Sequence, residues 1–235
     1  MGSTIETVLV AGANGETGRE ILNQLRGTDL LVKALTRSPG TIGALERLGA
    51  DEVVVGTPLN QADADRAMSG VDAVLCAVGA RPGPNALVGD LVDGAGVINL
   101  IDAASEADVE RFVLESSIGV GDSAAGMPRP IRLLMGRILN AKDRAEARLR
   151  ESKLTYTVLR TGGLTNDPPS GEIVVGEGGD SVSGWIPRAD VARLMVAALF
   201  TPEAENRTLE IVSREGLRGA PKNVVSLTWT EPTAV

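Results

Sequence analysis

Three glycines spaced three apart, Gly12, Gly15 and Gly18, follow directly on the apolar run Thr7-Val8-Leu9-Val10-Ala11 and open a stretch of helical period over 16–25. A strand that turns into a helix through glycine leaves the first N–H groups of that helix unobstructed, and the backbone can approach an anion closely. The positive end of the helix then faces a phosphate, so the segment reads as the nucleotide cradle of a βα unit. The same glycines would also serve a plain βα turn; the strand before and the amphipathic helix after are the context the phosphate reading requires. It places Gly12, Asn14, Gly15, Glu16, Thr17 and Gly18 on a dinucleotide cofactor.

The 235 residues suffice for one well-buried α/β domain and are too few for two Rossmann halves plus a catalytic domain. A single NAD(P)-binding domain over 1–235 is therefore expected, with substrate-lobe segments near 119–140 and 161–187. No apolar run is long enough to span a bilayer, and Met1-Gly2-Ser3-Thr4-Ile5-Glu6 lacks the basic patch and apolar core of a secretion signal. A cytoplasmic protein with no membrane partner is expected. The single Cys76 cannot form an internal disulfide, which suits a reducing compartment. A net charge of −8 offers no basic face for a nucleic acid. The chain has no histidine, which excludes Ser/His/Asp triads and histidine metal sites, and no metal site is expected. Chemistry must come from a cofactor or from Lys, Tyr, Asp and Glu.

Strand-forming runs at 7–11, 31–36, 52–55, 73–77, 111–115, 156–160 and 208–212 alternate with segments of helical period. Runs such as Val53-Val54-Val55 are apolar on both faces, as in a parallel sheet covered by helices on each side. The expected fold class is α/β: a Rossmann-like, doubly wound, mostly parallel sheet with helices on both faces and a small C-terminal substrate lobe. Gly/Pro-rich connections at 80–84, 119–130 and 162–179 would build the site at the carboxyl edge. The last fifteen or so residues, with Pro221 and Pro232, read as a peripheral tail.

The second strand ends Leu35-Thr36-Arg37-Ser38, where an NAD enzyme would place Asp or Glu on the ribose 2′-hydroxyl. Arg37 can fork onto a 2′-phosphate and Ser38 can donate a hydroxyl, so NADP(H) is expected ahead of NAD(H). A solvated surface arginine is the plainer alternative.

Read in order, the marks resemble an atypical short-chain dehydrogenase/reductase of the NmrA-like, NAD(P)H-binding group, which also covers proteins similar to biliverdin-IXβ and flavin reductases. The match is carried by Gly12, Gly15, Gly18 and Arg37, by Val71-Asp72-Ala73-Val74 leading into Cys76-Ala77-Val78-Gly79-Ala80, and by Arg111-Phe112-Val113-Leu114-Glu115-Ser116-Ser117. It continues through Ala141-Lys142-Asp143-Arg144-Ala145-Glu146, Leu154-Thr155-Tyr156-Thr157-Val158-Leu159-Arg160-Thr161-Gly162-Gly163-Leu164-Thr165 and Pro187-Arg188-Ala189-Asp190-Val191-Ala192.

The resemblance implies that Ala77, Val78 and Gly79 line the adenosine ribose and pyrophosphate, and that the adenine contact rests on Thr57 and Leu59, since Gly56-Thr57 stands where an acidic residue is common. It puts Gly162, Gly163 and Leu164 beside the nicotinamide carboxamide. Ser117 aligns with the catalytic serine, Ser116 precedes it, and Lys142 matches the lysine that holds the nicotinamide ribose. Both serines read equally as caps on the end of a buried strand. Four residues before Lys142 stands Ile138, which cannot move a proton, and the only tyrosine, Tyr156, opens an apolar strand and reads as core.

Alcohol dehydrogenation and tyrosine-dependent sugar epimerisation are thereby disfavoured. Two readings remain: hydride transfer from NADPH to a flavin-, quinone- or bilin-like small-molecule acceptor, or a non-catalytic NADP-binding redox sensor of the NmrA type. Leu133, Leu134, Met135, Ile138 and Leu139 would floor such an acceptor, or form core or the face of a homodimer. Asp190 is expected to cap a helix over 191–200.

Overall fold

The computed structural model describes residues 5–79, 91–127 and 129–232; the connection expected at 80–84 lies outside them. Among the described residues, ten strands and six α-helices follow one another as β1 (Thr7–Ala11), α1 (Glu16–Leu25), β2 (Leu31–Thr36), α2 (Ile42–Arg47), β3 (Glu52–Val55), α3 (Gln61–Met68), β4 (Ala73–Cys76), α4 (Val97–Glu106), β5 (Arg111–Ser117), α5 (Arg129–Glu151), β6 (Thr155–Thr161), β7 (Gly163–Thr165), β8 (Ile173–Glu177), β9 (Trp185–Pro187), α6 (Arg188–Ala198) and β10 (Arg207–Ser213).

Eight strands form one sheet in the order β3-β2-β1-β4-β5-β6-β10-β8, parallel but for β8, which runs antiparallel to β10 at the edge. The chain works outward from β1 to β3 and then returns to place β4 on the other side of β1, with Ala11 opposite Cys76 at the carboxyl end of the pair. That reversal of winding opens a crevice above β1 and β4, the position where doubly wound sheets hold their ligands.

All five residues of β1 are buried, and its four apolar side chains divide between two cores. Val8 and Val10 meet Ile21 and Leu22 of α1 and Leu194 and Met195 of α6 on one face; Leu9 and Ala11 join Ala67 of α3, Leu100 of α4 and Leu149 of α5 on the other. Burial on both faces explains why strand runs in this chain read as continuous apolar stretches.

β4 stops one residue short of the expected 73–77, whereas β5, β6 and β10 extend beyond theirs. The ladder between β5 and β6 continues through the polar pairs Ser116 with Arg160 and Ser117 with Thr161, because those side chains find buried partners. The short strands β7, β8 and β9 fall within or just beyond the 162–179 connection. β7 and β9 make a separate two-stranded parallel sheet, and Gly163 faces the Trp185 ring, where a β-carbon would come within 2.1 Å of the ring edge.

α6 begins at Arg188, three residues earlier than expected, so Asp190 lies inside the first turn rather than capping it. Its buried carboxylate instead accepts hydrogen bonds from Ser170 N (2.7 Å), Ser170 Oγ (2.8 Å) and Gly171 N (3.2 Å). Pro187 just ahead has a φ suited to a helix entry, and the aspartate is used to fasten the loop before β8.

Candidate active site

The turn from β1 to α1 depends on two close approaches. Gly12 has φ +85°, and a β-carbon there would stand 2.5 Å from the Ala77 carbonyl oxygen, so the turn presses directly on the end of β4. Gly18 sits over the Gly12 carbonyl, at 2.2 Å from an added β-carbon, which brings the helix down onto its own turn. Gly15 N donates to Gly12 O at 2.8 Å and serves as the N-cap of α1 without a side-chain cap. Asn14, Gly15 and Glu16 are exposed while Thr17 and Gly18 are buried. A helix start capped by glycine, with no side-chain bond from its N-cap, has the form of an anion site.

Around this cradle stand the other residues singled out in the sequence. Arg37 and Ser38 are exposed past the end of β2, and Ser38 N donates to Thr36 Oγ1 at 3.2 Å. Ala77, Val78 and Gly79 leave the end of β4, half-buried, buried and exposed in turn. Thr57 N donates to Asp63 Oδ2 at 2.9 Å, and Leu59 is exposed. The Thr57 amide, together with Arg66, holds the Asp63 carboxyl below the usual carboxylate range. A carboxylate therefore does stand beside Thr57, supplied from six residues further on, where spacing within the motif gave no sign of it.

Lys142 projects from α5 to the carboxyl end of β5. Its ammonium lies 3.3 Å from Asp93 Oδ1, a wholly buried carboxylate, and donates to the Glu115 carbonyl at 3.3 Å. Four residues earlier, Ile138 packs with Leu91 and Ala141 in a small buried cluster. Ser117 Oγ donates to the Ile118 carbonyl at 3.0 Å. Ser116 points to the opposite face, as strand alternation requires, and donates to Glu146 at 2.5 Å. The donors Gly162 N and Gly163 N are engaged by Ile211 O (3.0 Å) and Gly184 O (2.9 Å). Leu164 is half-buried in β7.

The apolar run at the start of α5 divides. Ile138 and Leu139 are buried, whereas Leu133 and Leu134 face solvent, so those two leucines form neither core nor the wall of an enclosed pocket.

Several charged groups near the site went unassigned in the sequence. Glu115 is buried beneath α1, where its carboxylate accepts from Thr17 Oγ1 at 3.2 Å. Burial pushes this carboxyl up from its ordinary value, against the pull of Lys142, Thr17 and Arg188. Glu146 takes a two-pronged bond from Arg160 (Nε to Oε1 3.1 Å, Nη2 to Oε2 2.8 Å) and a third from Arg150 at 3.0 Å, and Arg160 also grips Asp122. This network fixes α5 one turn beyond Lys142. Arg160 within the apolar run of β6 was its visible sign, because an unpaired guanidinium does not enter a core. Asp93 gave no comparable signal.

A cleft of about 240 Å³ adjoins the cradle, between Glu16, Arg19 and Glu20 of α1 and the stretch Thr165, Asn166, Asp167 and Arg188. Arg188 spans it, 3.1 Å from Glu16 and donating to Asn166 at 2.7 Å.

A doubly wound sheet whose first turn is a glycine cradle at the switch point defines a Rossmann-type dinucleotide-binding protein. The chain belongs to the NAD(P)H-binding family, whose model matches residues 12–202. An uncharacterized chloroplastic protein of Arabidopsis thaliana is 37% identical over 218 residues, covering 88% of this chain and 76% of that one. Sanguinarine reductase of Eschscholzia californica is 30% identical over 264 residues, with 94% of each chain covered. Among solved structures, an anaerobillin reductase from Escherichia coli O157:H7 superposes with TM-score 0.78 at 23% identity, covering 91% of this chain and 100% of that one, a likeness of fold.

Proposed function

We propose that this protein is an NADPH-dependent reductase that passes hydride to a flavin-, quinone- or bilin-like acceptor without a tyrosine proton donor. The observation that carries the reading is the pairing of a retained Lys142, held by Asp93 at the end of β5, with a buried Ile138 one turn before it. A planar conjugated acceptor delocalises the charge that hydride brings, and its proton can come from water. The relationship to a sanguinarine reductase supports a reductase over an epimerase.

The cradle fits a dinucleotide. The N–H groups of Gly15, Glu16 and Thr17 would hold the pyrophosphate, Arg37 and Ser38 the 2′-phosphate, and Ala77, Val78 and Gly79 the adenosine side. Lys142 would orient the nicotinamide ribose. When bound, the nicotinamide supplies the hydride; the protein supplies position. The alternative, a redox sensor without turnover, draws support from the internal bonding of Lys142 and Ser117, which leaves neither poised as a proton carrier.

NADPH oxidation measured with flavin, quinones and bilins tests the proposal. Turnover with at least one acceptor is expected, with NADPH preferred to NADH. Arg37→Asp should weaken NADPH binding by roughly tenfold or more, as expected for a lost charge-assisted bond of about 1.5–3 kcal/mol. Lys142→Met should raise KM for NADPH with a modest fall in kcat. An inert wild type that still binds NADP⁺ and NADPH with unequal affinity would favour the sensor.

A further inference from the structure

Glu115 is an acid that hydride transfer does not use, and it stands on the inner side of the turn whose outer side forms the cradle. It is buried near the end of β5, and its carboxylate accepts from Thr17 Oγ1 at 3.2 Å. Thr17 lies in the first turn of α1 and is itself buried. The groups that act on the carboxylate come from every element around it. α1 supplies the Thr17 hydroxyl, α5 the Lys142 ammonium, α6 the Arg188 guanidinium, and the segment ahead of α4 the Asp93 carboxylate. β4 adds the Cys76 thiol, kept neutral because burial pushes it up to about 12. Both cations are shared with another acid: Lys142 lies 3.3 Å from Asp93, and Arg188 lies 3.1 Å from Glu16. Burial outweighs their pull, so the carboxyl keeps its proton to higher pH than an ordinary glutamate does.

We infer that dinucleotide binding at the cradle is coupled to the uptake of a proton by Glu115, so that affinity for NADP(H) falls as pH rises. The inference rests on the cradle as the cofactor site, not on whether hydride is transferred. A pyrophosphate on the N–H groups of the first turn of α1 sets its negative charge across that one turn from the Glu115 carboxylate. Buried groups lie between them, where water screens little. Two like charges at such range are not both kept without cost, and a proton on one of them relieves it. The diphosphate linkage is too strong an acid to take that proton, so it goes from solvent to the Glu115 carboxyl. Lys142 and Arg188 do not cancel the effect, because each already serves another acid, and Asp93 adds to the repulsion. Cofactor thus raises the pH at which Glu115 ionises. Below the free protein's value, and above the value with cofactor bound, no proton is taken up. Between the two values affinity falls with rising pH, by at most about tenfold per pH unit.

Calorimetric titration of NADP⁺ into wild type and Glu115→Gln, in buffers of different ionisation enthalpy from about pH 5 to about pH 8, tests the inference. The variant is neutral and keeps an oxygen for Thr17, so it stands for the protonated form. Wild type should take up more protons than the variant; the cofactor's own titration, that of its 2′-phosphate included, is common to both and drops out of the difference. Affinities should be equal at the acid end, with the variant binding roughly threefold to tenfold more tightly at the neutral end. NAD⁺, which has no 2′-phosphate, should also draw protons into the wild type, an arm that needs no variant to fold. Equal proton uptake by the two proteins, or weaker binding by the variant at every pH, would overturn the inference and leave the cradle in place. Failure of the wild type to bind NADP⁺ would overturn the cradle and the inference together.

Discussion

Glu115 shows how one side chain couples the site to the stability of the fold. The residue is 8% exposed, with its carboxyl under the first turn of α1, and burial raises its affinity for a proton above that of a glutamate in the unfolded chain. The folded state therefore holds the proton to higher pH than the unfolded state does. Stability should fall as pH rises from about 4.3 through the raised value, and level off beyond it, with a slope of at most about 1.4 kcal/mol per pH unit. Glu115→Gln keeps an oxygen for the Thr17 hydroxyl and removes the titration. Denaturant unfolding followed across mildly acidic to neutral pH should show a flatter profile for the variant, with the larger gain over wild type at the neutral end. Identical slopes would mean that Glu115 keeps its ordinary affinity despite burial.

At the scale of elements, the β1–α1 turn separates folding from binding between two glycines. Gly12 is held at φ +85° against Ala77, so Gly12→Ala meets both left-handed strain and a carbonyl, and should lower stability by at least about 1–2 kcal/mol. Gly15 has an ordinary φ of −71°, and an added β-carbon would meet only the Gly12 carbonyl, at 3.1 Å. Gly15→Val should therefore stay folded and lose NADPH binding, since its branched side chain fills the place of the pyrophosphate. Thermal melts and calorimetric titration of both variants distinguish the two effects; normal NADPH binding by Gly15→Val would remove the cradle as the cofactor site. The contrast also marks what the sequence could disclose. The glycine spacing and the alternation of apolar runs were enough for the cradle and the main sheet, because backbone geometry and burial leave a local imprint. β7 and β9 left none, being three residues each and paired only through tertiary contact. Asp63 and Asp93 reach their partners from a distance along the chain, where spacing within a motif carries no information. Asp190 misled because an aspartate near a helix start is a capping signal whether or not the helix uses it.

At the scale of the whole molecule, the parallel sheet is closed to water at its centre, and the one thiol of the chain is placed there. Cys76 ends β4 beside Ala11 and is fully buried, which pushes its thiol up to about 12. A thiol in that state hardly reacts with a disulfide reagent, since the thiolate is the nucleophile. Labelling must await an opening that parts β4 from its neighbours, so the rate of modification becomes a clock for rupture of the central sheet. NADPH, which would rest on the same strand end, should slow that clock by the factor 1 + [L]/Kd, about 100-fold at a hundredfold excess over Kd. A burst of labelling in the folded protein, or a rate indifferent to NADPH, would show that the sheet opens elsewhere first. A single thiol thus gives a reading of how tightly the cofactor seals the middle of the molecule.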